Sequence, residues 1–174
     1  MEDNTNTVTK RERDCLIALE EDSQNGFPMR LHQIASTLGI KPPTALNVIK
    51  RLEEKGLARS VDGMTILTDS GKKIAEGILL VHRTYESLLC KSGVSENSAC
   101  EEAAEVDFII PTRNARLILR TIGNPKMCPH GKPIIGVESN VFSRFYSESS
   151  DRPLCLFHTS DSIHTRTDAR YHTR

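Results

Sequence analysis
The chain contains no tryptophan, and tyrosine and phenylalanine bring its aromatic content to only 5%. Its core must therefore be aliphatic, drawn from an apolar fraction of 37% over 174 residues. That is enough for one domain or two small ones. Neither sign of charge is in excess, with 23 basic residues against 23 acidic ones. This argues against a highly basic packaging protein and against an acidic disordered chain. No apolar run approaches the ~18 residues of a membrane span. The opening MEDNTNTVTKRERD has no apolar signal segment, so a cytoplasmic location is expected rather than export. Cysteines are few, scattered and odd in number (Cys15, Cys90, Cys100, Cys128, Cys155), a poor disulfide framework that fits a reducing compartment. A nucleophile motif, a Walker loop and a dinucleotide glycine pattern are all missing, so the chain is not read as an enzyme.

What is present is patterned. Residues 30–83 carry nine basic against five acidic side chains, and residues 84–110 carry one basic against six acidic. An anionic partner followed by a cation site would produce these blocks, and so would ordinary helix-surface charge. Apolar spacing predicts helices over 8–22, 30–38 and 42–55, punctuated by Gly26, Gly39 and Gly56. A hairpin over 57–68 turns at Asp62 and Gly63. A long helix follows over 70–90, with Asp69 or Ser70 as its cap. Helices over 96–109 and 113–122 come next, and a Pro- and Gly-rich loop over 124–136. Residues 137–174 form a polar tail with strand candidates at 143–146 and 154–157. The expected fold is mainly α. A winged helix-turn-helix occupies 1–72, an α-helical dimerisation domain 73–136 and the tail 137–174.

Helix, glycine turn, helix and then a DG hairpin is the winged-helix order. The helix over 42–55 would enter the major groove of double-stranded DNA, with Pro42 and Pro43 in its first turn. Thr44, Asn47, Lys50 and Arg51 face outward, opposite Ala45, Val48, Ile49 and Leu52. Short polar groups near a helix start reach base edges, and its backbone amides favour phosphates. Arg59 on the wing, with Lys72 and Lys73 beyond it, would meet the sugar-phosphate backbone. One such domain binds weakly alone, so a homodimer is expected. A winged helix devoted to protein contacts is the alternative.

His82 and Glu86 stand four apart on the long helix and share a face suited to one cation. The helix that follows offers Cys100, Glu101, Glu102, Glu105 and Asp107. At this point the chain resembles the diphtheria toxin repressor family of metal-dependent transcriptional regulators. The likeness covers about residues 8–136 and rests on LARSVDGMTILTDSGKKIAE, HRTYESLL, SACEEAAEVDFI and GNPKMCPHGKPI. It implies a divalent metal, iron(II) or manganese(II), that orders the DNA-binding domain against the dimerisation domain. It also implies a homodimer on a palindromic operator, repressing metal-uptake genes.

Carried over residue by residue, the family's pattern is met in part. His82 and Glu86 match two ligands, and Cys100 falls where many iron-responsive members have a histidine of the same site. Glu102 or Asp107 would assist them. The family's other site is eroded. Asp107 matches a glutamate ligand, Asp14 falls where manganese-type members have an acidic ligand, and Ala104, Phe108 and Arg11 stand where further ligands belong. Three readings stay open: sensing through the one site, a rearranged shell using Glu101 or Glu105, or loss of metal sensing with Arg11 pairing with Asp107. A thiol-responsive regulator is a further rival. Cys128 and His130 are read as structural, because two ligands in a turn have no third. Longer members carry an SH3-like C-terminal domain, and residues 137–174 are too few and too polar for a complete one.

Overall fold
The computed structural model describes residues 8–23 and 28–134. Gly26, the tail at 137–174 and its two strand candidates lie outside the described residues. The order is α1 (Lys10–Ser23), β1 (Met29–Arg30), α2 (Leu31–Thr37), α3 (Pro42–Glu54), β2 (Ala58–Val61), β3 (Met64–Leu67), α4 (Asp69–Lys91), α5 (Glu96–Val106) and α6 (Thr112–Thr121). The fold is mainly α with one small sheet, as expected.

The sheet is antiparallel in the order β1-β3-β2. β2 and β3 pair from Ala58 opposite Leu67 to Val61 opposite Met64. Asp62 and Gly63 turn the hairpin with φ of 52° and 74°. Two positive φ values are what a two-residue turn needs to match strand twist. The sequence pattern did not anticipate β1. Two residues hold no periodicity, and the strand exists only because Met29 and Arg30 pair with Thr65 and Met64.

Prolines occupy the first turn of α3, where a missing N–H costs nothing. Gly56 follows the helix at φ 68°. The cap of α4 is Thr68, not Asp69 or Ser70. Its hydroxyl accepts from the Gly71 N–H at 3.1 Å and donates to the Gly56 carbonyl at 2.7 Å. One side chain thus ties the start of α4 to the end of α3.

α4 is shared by two cores. Ala75, Ile78 and Leu79 pack with α1, α2, α3 and the hairpin. Leu80 and Val81 pack with Ala115, Leu119 and Ile122 of the α6 region and with Cys128 and Ile134. At 23 residues the helix is about 35 Å long. Its N-terminal half supports the wing, and its C-terminal half carries His82 and Glu86.

Residues 124–134 are an ordered turn, not a free loop. Met127 bridges Pro133, the Cys128 N–H bonds the Lys132 carbonyl at 2.8 Å, and Gly131 closes the bend at φ 73°. The Arg83 guanidinium donates to the Pro133 carbonyl at 2.6 Å and pins the turn against α4.

Candidate metal centre
Four elements meet around the C-terminal half of α4. Helical spacing places His82 and Glu86 one turn apart, and both side chains are fully buried. Cys100, on α5, sets its Sγ 3.5 Å from His82 Nε2. The ordered turn delivers His130, whose Nδ1 is bonded to Glu86 Oε1. One oxygen of Glu86, the sulfur of Cys100 and a ring nitrogen of His130 all lie within 4.8 Å of one another.

This donor set fits a divalent transition metal. Oxygen, sulfur and imidazole nitrogen converge from three elements, with a second imidazole at the edge. The other Glu86 oxygen, Oε2, is buried and has no hydrogen-bond partner among the described residues. A buried carboxylate oxygen without a donor is costly, and a cation would satisfy it. Burial pushes the Cys100 thiol up to about 12, with the charge of Glu86 adding to the effect. The thiol therefore keeps its proton until a cation displaces it.

His82 has a second contact. Its Nδ1 lies 3.0 Å from Asp107 Oδ2. Asp107 is fully buried and is also held by Arg13 of α1, whose Nε donates to Oδ1 at 2.8 Å and whose Nη2 bonds Oδ2. Arg13 Nη1 donates to Asp14 at 2.9 Å. Burial alone would lower the Arg13 pKa. The bonds and charge of Asp107, then of Asp14, outweigh that and hold it above its ordinary value.

The geometry places several of the expected residues outside this donor cluster. Arg11 is exposed, and the arginine that pairs with Asp107 is Arg13. Asp14 is a partner of Arg13, and Asp107 is committed to Arg13 and His82, so neither belongs to the donor cluster. Glu101 and Glu102 are exposed outside it, and Glu105 pairs with Lys10 at the surface. His130 is no mere turn residue, because the turn carries it onto Glu86. A histidine between proline and glycine is its only sequence signal. Contact with a residue 44 positions away is not visible in spacing.

The face expected to read DNA has the expected polarity. Pro42, Pro43, Thr44, Asn47, Lys50 and Arg51 are exposed on α3, and Arg59 is exposed on β2. Ala45, Val48, Ile49 and Leu52 are buried behind them. Leu46, 40% exposed among the polar positions, was not singled out by the sequence pattern.

Residues 68–136 match the family described as "Iron dependent repressor, metal binding and dimerisation domain". An uncharacterised HTH-type transcriptional regulator of Aeropyrum pernix is 32% identical over 116 residues, 64% of each chain. The iron-dependent repressor IdeR of Mycobacterium tuberculosis is 30% identical over 121 residues, 68% of this chain and 51% of that one. The chain thus spans between half and two thirds of the length of these relatives. The crystal structure of T. acidophilum IdeR superposes with a TM-score of 0.61 at 28% identity, covering 78% of this chain and 63% of the other. Likeness in sequence, in fold and in the metal-binding and dimerisation unit agree: the chain belongs to the diphtheria toxin repressor family.

Proposed function
We propose that this chain is a transcriptional repressor whose binding to double-stranded DNA responds to a divalent transition metal. It acts as a homodimer on a palindromic operator near metal-homeostasis genes. Residues 1–72 read DNA, and residues 73–136 hold the metal and form the dimer. The observation that carries the reading is the convergence of Glu86, Cys100 and His130, with His82 beside them and Glu86 Oε2 unsatisfied.

Glu86, Cys100 and His130 would hold the ion, and His82 would join them through Nε2. When bound, the ion supplies positive charge that cross-links α4, α5 and the turn at 124–134. Asp107 accepts from His82 Nδ1, and this leaves Nε2 free to act as a donor atom. Because α4 continues from the metal centre to the wing, ordering its C-terminal half bears on the attitude of α3 and the hairpin. Family relatives are named for iron, and a structural neighbour for manganese. The thiolate of Cys100 favours iron(II) over manganese(II) here.

A thiol-responsive regulator fits less well. A thiol raised to about 12 by burial is a poor nucleophile toward oxidants. The chain would be a DNA-binding regulator and not an enzyme. No helix among the described residues is long and apolar enough to cross a membrane.

The test is binding to a labelled fragment from upstream of the protein's own gene, under anaerobic reducing conditions. Chelated protein should bind weakly, and iron(II) should restore binding. His130→Ala and Cys100→Ala should require at least about tenfold more metal. Equal binding with and without chelator would overturn the reading.

A further inference from the structure
Arg13 has no place in the donor cluster, yet it is one of the most deeply buried charges in the molecule, 2% exposed. It starts from α1, whose residues Cys15 to Leu19 belong to the DNA-reading core. It ends on Asp107, the C-cap of α5. All three guanidinium nitrogens are engaged, two by Asp107 and one by Asp14. Asp107 in turn contacts His82, and His82 contacts Cys100 of the donor cluster. A continuous path therefore runs Arg13–Asp107–His82–Cys100, buried as far as His82. It joins α1 to α5, α4 and the donor cluster. Lys10 and Glu105 make a second ionic link between α1 and α5 at the surface.

Asp107 accepts from His82 Nδ1 on one oxygen, and the Arg13 guanidinium bonds both of its oxygens, so the positive charge beside this carboxylate is already present. The neighbouring Ala104 and Phe108 carry no donor, Phe108 packs into the core that α1 belongs to, and Glu105 turns to Lys10 at the surface. A buried carboxylate needs a compensating positive charge. Arg13 supplies it permanently, with the bidentate geometry that a point-charge ammonium lacks.

We propose that Arg13 is a resident cation standing where a second metal ion would otherwise be needed, and that the Arg13–Asp107–His82 relay couples the single metal centre to the helix anchoring the DNA reader. Arg13 is thus a positioning residue. It binds neither metal nor DNA, and acts by fixing Asp107, which fixes the ring of His82. The inference rests on the metal-responsive reading above and goes beyond it in two respects, the stoichiometry and the path of coupling.

The experiment measures bound metal per chain and the metal-induced gain in operator affinity, using cobalt(II) as an air-stable probe. Wild type should bind one equivalent. Arg13→Met should still bind one, since Glu86, Cys100 and His130 remain, but its gain in DNA affinity should fall by about tenfold or more. Arg13→Lys should recover part of the gain, which a purely space-filling role would not predict. The double variant Arg13→Met/Asp107→Asn removes both charges together and strands neither, so it reports coupling where the single variant folds poorly. Two equivalents on wild type would overturn the resident-cation role. An undiminished gain in Arg13→Met or in the double variant would overturn the relay. Absence of any bound metal on wild type would overturn the metal-responsive reading, and the relay with it.

Discussion

At the scale of single residues, the proposed metal centre would draw on three side chains of different chemistry. Glu86 contributes a hard oxygen, His130 a borderline nitrogen and Cys100 a soft sulfur. The sulfur would then decide the preference, because thiolate suits iron(II), cobalt(II) and zinc(II) better than manganese(II). Cobalt(II) bound to wild type should therefore show a thiolate-to-metal charge-transfer absorption. Cys100→Asp should lose that absorption and shift relative affinity toward manganese(II) by about tenfold, measured by competition with a chromophoric chelator. An unaltered spectrum would remove Cys100 from the ligand set. His82 and Glu86 were legible in the sequence because a four-residue interval fixes a shared helical face. His130 was not, since a turn's destination depends on contacts distant in sequence. Arg13 was hidden for another reason. Residues Cys15 to Leu19 are five consecutive apolar positions, and an unbroken run does not define a helix phase. Arg11 and Arg13 lie about 200° apart around the helix. An error of two residues therefore exchanges an exposed guanidinium for a buried one.

Between elements, the tightest approach among the described glycines is at Gly71, in the first turn of α4. A Cβ there would meet the Leu57 carbonyl oxygen at 1.9 Å, inside any allowed contact. That oxygen is backbone leading into β2, so relief requires the wing or the helix to move. Gly71→Ala should therefore destabilise the protein by about 3 kcal/mol, read as a lowered urea midpoint. Gly77 is the comparison: its Cβ would meet only the Thr112 hydroxyl at 3.2 Å, and a side chain can turn aside. Gly77→Ala should stay within about 1 kcal/mol of wild type. Equal midpoints for the two variants would mean that α4 is not seated on the hairpin as described. The helices and the hairpin were readable from periodicity and turn chemistry. β1 and the Thr68 cap were not, because each is made by a partner in another element.

Across the whole molecule, α4 joins the two cores, and the charge blocks of the sequence fall on different elements. The basic block surrounds α3 and the wing, and the acidic block supplies α5. Thr44 and Asn47 should govern which operator bases are preferred, whereas Arg51 and Arg59 should act through phosphates. Arg51→Ala is expected to weaken binding to all sequences alike and to reduce the slope of log affinity against log salt by about one per protomer. An unchanged slope would place the DNA elsewhere on the molecule.

By itself, the sequence determined the order of the helices and the hairpin, the polar face of α3, the DG turn and the pairing of His82 with Glu86 on one helix face. All of these are local, fixed by a helix period, a glycine or a two-residue turn. The membership of the donor cluster and the identity of the buried cation were decided only by tertiary structure. His130 reaches Glu86 because Arg83 and the bridge between Met127 and Pro133 fold the turn back on α4. Arg13 reaches Asp107 because α1, otherwise a helix of the N-terminal core, is packed against α4 where α5 ends. Long-range electrostatic partners are chosen by packing, and packing leaves no periodic mark in the chain.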